Sequence, residues 1–209
     1  THAKRIPPTL PYACSQNNNH LLSEAAGLYT AGVALPAHPS AWFWRKLGWY
    51  WFNRGLQSQI TPDGVYIQHS TNYQRLMLQD ALWINLLAGH IGDQFPEKNR
   101  HLLAAATRWL LALLDPESGC VPNLGPNDGA YILPLTVHPF HDYRPLLQTA
   151  GIAFMDKPLL GPGNWDEMSL WLASPRLAKG SRSENAGEKH CPRKLPSALR
   201  NPQSVRRLT

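Results

Sequence analysis

Apolar residues recur along this chain at three-and-four spacing, the period of a helix buried on one face, and nowhere alternate as a half-buried strand would. Leu21, Leu22, Ala25, Leu28, Tyr29, Gly32 and Val33 predict a helix over 20–35, which Pro36 and Pro39 end. Ser40 then caps a second helix reaching Ile60, apolar nearly all round, as expected of a helix buried between neighbours. Thr61-Pro62-Asp63-Gly64 is a turn by composition, and 65–69 reads as a short extended piece. Ser70 or Thr71 caps a third helix to Ile91; Pro96 opens a fourth, which runs to Leu114 before Asp115-Pro116. A fifth begins near Tyr143 with Pro145 in its first turn, and a short one spans 165–172. Thr1 to Ser15, with Pro7, Pro8 and Pro11, reads as an irregular connecting segment.

The fold class is therefore all-α. Helices joined by short connections pack antiparallel, so these should alternate up and down. The first, third and fifth helices then start at one end, where the fourth stops. Asn19 and His20, Tyr73, the 123–128 loop, and His138, His141, Tyr143 and Arg144 would share one rim. The loop over 117–142 is too long to be an idle connection in a compact domain.

One stretch on that rim has a distinct chemistry. Gln16 to Gly27, Q-N-N-N-H-L-L-S-E-A-A-G, runs three asparagines and a histidine directly into a helix start. Amides and an imidazole beside unpaired N–H groups and the positive end of a helix dipole suit a carboxylate. An asparagine in front of a helix also serves as a plain N-cap.

Composition narrows the partners. The chain of 209 residues carries a net charge of +6, but Ser174 to Thr209 hold nine Lys and Arg against two Asp and Glu, and the first 173 residues carry eleven against twelve. The body is nearly neutral, which argues against a nucleic-acid partner. Eight Trp, seven Tyr and five Phe offer faces on which sugar rings can stack. Cys14, Cys120 and Cys191 have neither disulfide-framework nor zinc spacing, so no metal or other cofactor is indicated. No apolar run approaches the roughly 18 to 20 residues of a membrane span. The sequence opens at Thr1 without a leader, which leaves an upstream or processed signal peptide open.

Four segments carry a resemblance. N-N-H-L-L-S-E-A-A-G-L-Y from Asn18, D-G-V-Y-I-Q-H-S-T-N-Y-Q-R from Asp63, N-D-G-A-Y-I-L-P-L from Asn127 and D-Y-R-P-L-L-Q-T-A-G-I-A-F from Asp142 resemble the heparinase II/III family of polysaccharide lyases, heparinase III above all. The likeness covers about Tyr12 to Leu172, and the 54 residues from Asn19 to Tyr73 suit the family's asparagine-to-tyrosine spacing. It implies an (α/α) toroid of helical hairpins, a following antiparallel β-sandwich, and β-elimination of uronic-acid polysaccharides such as heparan sulfate in the cleft between them. It implies a periplasmic or secreted setting and an acidic polysaccharide partner. Asn19, with His20 beside it, would neutralise the uronate carboxylate; Tyr73 would act as acid, and as base only with neighbours that lower its pKa from the ordinary value of ~10. Asn18, Asn127, Asp128, His141, Tyr143 and Arg144 are the candidate substrate-binding residues. Gln68-His69 departs from the acidic residue that relatives often carry there, and Asn127-Asp128-Gly129 is also a good turn sequence.

The likeness stops near Leu172. Residues 1–172 read as an incomplete toroid, and 173–209 as a disordered basic tail standing where the β-sandwich should begin. His190 stands in that tail, in a context unlike that of the family's histidine. Two functions compete: a polysaccharide lyase or its toroid portion, and a truncated, non-catalytic remnant that binds acidic glycans. A glycoside hydrolase is a third reading and would need Asp128 and Asp142 as a carboxylate pair. An incomplete toroid would also expose apolar helix faces, which predicts self-association.

Overall fold

The computed structural model describes residues 2–172; the tail predicted at 173–209, with His190 and Cys191, lies outside them. Seven α-helices follow in order among the described residues: α1 (Ile6–Gln16), α2 (Asn19–Ala34), α3 (Ala41–Gln59), α4 (Thr71–Ile91), α5 (Glu97–Leu111), α6 (Arg144–Met155) and α7 (Glu167–Leu172). The extended piece predicted at 65–69 amounts to one antiparallel bridge between Ile60 and Tyr66. No helix among the described residues is long and apolar enough to cross a membrane.

The amino-terminal segment is helical, not irregular. Pro7 and Pro8 lie in the first turn of α1, where no N–H is needed, and Pro11 sits inside it. An interior proline costs about 3 kcal/mol. Leu10 and Ala13 bury against Leu21, Leu28 and Trp44, and burial of one leucine contributes about 1.5–3 kcal/mol. Tertiary packing therefore overrides the proline signal.

Helices α2 and α3 pack antiparallel at very close range. A Cβ on Gly32 would lie 2.6 Å from the Ala41 carbonyl oxygen, and one on Gly48 would lie 2.6 Å from that of Ala25. The two glycines remove side chains from opposite partners in neighbouring turns of one contact. Helix α3 is not buried all round as its composition suggests: Trp44, Gly48, Phe52 and Leu56 face the core, whereas Trp42, Phe43 and Tyr50 are 70, 49 and 54% exposed. It packs on α2 and α5, and both lie on its buried side.

Helix α4 is central, and its first half is buried although it is strongly polar. Each buried amide there has a task. Gln74 accepts from the Tyr66 N–H and donates to the carbonyls of Gly64 and Ala106. Gln79 accepts from the Ile132 N–H and donates to the Leu133 carbonyl. These bonds satisfy groups that would each be costly to bury unpaired, and they fasten the loops on both sides of α4. Asp80, 4% exposed, accepts from the Ser23 hydroxyl on α2; burial, only partly opposed by that bond, pushes its carboxyl up to about 7.

Pairings between helices fix their directions. Ser23 meets Asp80 and Tyr29 meets Asp93, so α2 and α4 run parallel. Arg100, near the start of α5, pairs with Asp156 just beyond the end of α6. The starts of α2, α4 and α6 and the end of α5 thus lie at one end, as the up-and-down reading expects.

Candidate active site

At that end the asparagine run is held from behind. Gln59, at the end of α3, donates to the Asn17 side chain at 3.3 Å and to the Asn18 carbonyl at 3.0 Å, and is itself fixed by the Tyr66 hydroxyl at 2.9 Å. Asn18 is the N-cap of α2: its side-chain oxygen accepts from the His20 N–H at 3.0 Å. The Asn19 N–H donates to Gln68 at 3.1 Å. Asn18 thus spends its acceptor on the helix, whereas the side chains of half-buried Asn19 and exposed His20 make no hydrogen bond among the described residues. They stand at the positive end of a helix of 16 residues with their donors uncommitted.

The start of α4 brings the second group. Ser70 caps the helix by accepting from the Tyr73 N–H at 3.1 Å and donates to the Pro126 carbonyl at 2.6 Å, so one hydroxyl ties the 123–128 loop to the helix. Asn127 accepts from the Gly129 N–H, Gly129 takes a φ of 79°, and Asn127 donates to Asn123; its groups serve the turn. That turn presents Asp128 to Tyr73, whose hydroxyl donates to the carboxylate at 2.7 Å. The bond, and then partial burial, hold the Tyr73 phenol above its ordinary pKa, and the same bond holds the exposed Asp128 carboxyl below its own. At neutral pH the pair is phenol and carboxylate.

Behind this pair lies a residue that inspection of the sequence did not single out. Arg75, 1% exposed, donates from Nη2 to Asn72 at 2.6 Å, and Asn72 donates to Asp128 at 3.3 Å. Its guanidinium carbon lies 3.8 Å from the ring centre of Phe140, 4.5 Å from that of Tyr143 and 4.9 Å from that of Tyr131. It also donates to the Phe140 carbonyl. Tyr143, expected to bind substrate, is buried at 5% exposure in this stack. Arg75, Asn72 and Gln68 all lie within the D-G-V-Y-I-Q-H-S-T-N-Y-Q-R segment; its density of polar residues ahead of an apolar helix was the available signal.

The model of the heparinase II/III N-terminus matches residues 9–131, which include Asn19, Tyr73 and Asp128. The chain belongs to the heparinase II/III family. No curated protein and no solved structure matches it. The matched region is the N-terminal domain of a family of polysaccharide lyases, and the all-α partial toroid agrees with it.

Among the remaining rim residues of this heparinase II/III toroid, Arg144, His138 and Asp142 bond to one another. Arg144 donates to Asp142 Oδ2 at 2.8 Å and stacks 4.7 Å from the Trp165 ring centre, while His138 Nδ1 meets the same oxygen at 2.7 Å. Burial would raise the Asp142 carboxyl, but the bonds from Arg144 and His138 outweigh it and hold it low. Asp142 is 6% exposed and neutralised, so it does not offer an open rim the second carboxylate that hydrolysis would need. His141 is exposed and its ring makes no hydrogen bond among the described residues. A hollow between Gly89, Asp93, Arg100 and Asp156 lies at the opposite end of α4 from Tyr73.

Proposed function

We propose that this chain is the toroid portion of a polysaccharide lyase that cleaves uronic-acid polymers, heparan sulfate among them, by β-elimination. The observation that carries the reading is the Tyr73 phenol held protonated against Asp128, within a chain of the heparinase II/III family. Elimination removes the C5 proton, forms the C4–C5 double bond and breaks the C4–oxygen bond. The C5 proton is acidic enough only when the adjacent carboxylate charge is offset, and the departing oxygen must take up a proton. Asn19 and His20, whose side chains make no hydrogen bond among the described residues at the start of α2, suit the carboxylate. A phenol kept neutral suits the departing oxygen; it serves as base only once Asp128 has released it and a neighbour has taken its proton.

The test is the ultraviolet absorbance of the unsaturated uronate during incubation with heparan sulfate, heparin, hyaluronan and alginate. It is run on the chain itself and on a version extended through a β-sandwich, as the family likeness implies. A rise abolished by Tyr73→Phe and by Asn19→Ala supports the reading. No rise from either version, or a rise that both substitutions leave intact, overturns it.

A further inference from the structure

The aromatic residues that α3 turns outward form a pattern with the cations between them. Trp42, Lys46, Tyr50 and Arg54 are all exposed and succeed one another at four-residue steps, so they lie on one ridge with about 6 Å between neighbours. Trp42 and Tyr50 are 70 and 54% exposed, and Phe43 widens the ridge beside Trp42. Tyr50 is braced edge-on by Trp51, ring centres 5.2 Å apart. Neither Lys46 nor Arg54 has a carboxylate partner among the described residues, and α3 contains no Asp or Glu at all. The third cation of the helix, Arg45, lies 4.0 Å from Asp93. Large planar faces alternating with unneutralised cations fit a polymer of sugar rings that carries an acidic group on each repeat.

The ridge also leads somewhere. One further four-residue step reaches Ser58, whose hydroxyl lies 3.5 Å from the Asn17 side chain, next to the asparagine run. From Trp42 to Ser58 the helix rises about 24 Å, several sugar residues in length. We infer that the exposed ridge of α3 is a second binding site for acidic polysaccharide, which stacks on Trp42 and Tyr50, pairs with Lys46 and Arg54, and passes along α3 toward Asn19. The inference rests on the proposed function for its ligand class, so its test reads binding and not turnover.

Affinity of the whole chain for size-defined heparan sulfate oligosaccharides is measured by titration calorimetry across a range of salt. Parent, Lys46→Gln/Arg54→Gln, Trp42→Ala/Tyr50→Ala, Tyr73→Phe and Asn19→Ala are compared; circular dichroism checks that the exposed substitutions leave the fold intact. The charge variant is expected to bind more weakly with a flatter salt dependence. The aromatic variant should lose roughly tenfold in affinity with its salt dependence kept. Unchanged affinity in both α3 variants, or no binding by the parent, overturns the ridge. So does equal affinity for single-stranded DNA, or an aromatic variant that dissolves a dimer in light scattering and leaves glycan binding alone. If only Asn19→Ala abolishes binding, the ridge fails and the lyase reading stands. If the α3 variants weaken binding but elimination survives Tyr73→Phe, the ridge stands and the lyase reading fails.

Discussion

The Tyr73 hydroxyl donates to the Asp128 carboxylate at 2.7 Å although 55 positions separate the two residues. The contact depends on Ser70, which joins the first turn of α4 to the loop through the Pro126 carbonyl, and on the Asn127 turn that aims Asp128 at Tyr73. It fixes the proton inventory of the site: one phenolic proton, held above the ordinary tyrosine range by the carboxylate that accepts it.

That inventory predicts a pH profile. If Tyr73 protonates the departing oxygen, activity falls on the alkaline side as the phenol ionises, and Asp128 places that limb above the usual tyrosine value. Asp128→Asn weakens the hydrogen bond and removes the charge that, with burial, raise the phenol, so the alkaline limb moves to lower pH. Tyr73→Phe loses about two to four orders of magnitude in kcat, the usual worth of a general acid. A gain of activity at neutral pH in Asp128→Asn would mean that Tyr73 works as the base.

Much of this arrangement was legible in the sequence, and what was hidden has physical causes. The helices α2 to α6 announce themselves because each buries one face, and the up-and-down rule then brings Asn19, Tyr73 and the 123–128 loop to one end. Helix α1 was hidden because Pro7, Pro8 and Pro11 argue against a helix that Leu10 and Ala13 hold in place by burial. The outward face of α3 was misread because Trp42, Phe43 and Tyr50 look like core residues. Asn72, Gln74 and Gln79 were hidden for the opposite reason: amides carry no apolar signal, and these are buried because loops on both sides of α4 need their hydrogen bonds. The bond of Tyr73 to Asp128 needed a long-range contact that no local pattern encodes.

Arg75 should hold the rim together. Its replacement by Met keeps the apolar stem but leaves the Phe140 carbonyl and the Asn72 side chain without their donor. An unsatisfied buried acceptor costs about 1–3 kcal/mol, so the variant should be less stable by that order. Its amides over 131–143 should exchange hydrogen faster, while α2 and α3 keep their protection. Uniform protection across that loop would show that the aromatic stack holds without the cation.

The packing of α2 on α3 gives a paired test. Gly48→Ala forces a methyl against the Ala25 carbonyl and the Tyr29 N–H, where only backbone can yield, and should cost about 1–3 kcal/mol. Gly27→Ala, inside α2, meets only the Ile6 side chain at 3.4 Å. It should stabilise the helix by about 0.4–1 kcal/mol through the unfolded chain. Opposite shifts of the denaturant midpoint at constant slope are expected; equal shifts would mean that the helices do not approach this closely.

Asp80 makes stability depend on pH. Its carboxyl, pushed up to about 7 in the folded chain mainly by burial, returns to about 3.9 on unfolding. The folded state therefore holds a proton that the unfolded state releases. The stabilisation is fully present below about pH 4 and is lost as pH rises through about 7, a change on the order of a few kcal/mol. Asp80→Asn keeps the shape and can still accept from Ser23, but it has no charge to bury. Melting temperatures of the parent should decline between those limits while those of the variant stay level, and above pH 7 the variant should be the more stable protein. If the two curves run parallel, the Asp80 carboxylate is already compensated when ionised, and the pH dependence of this helical core has another source.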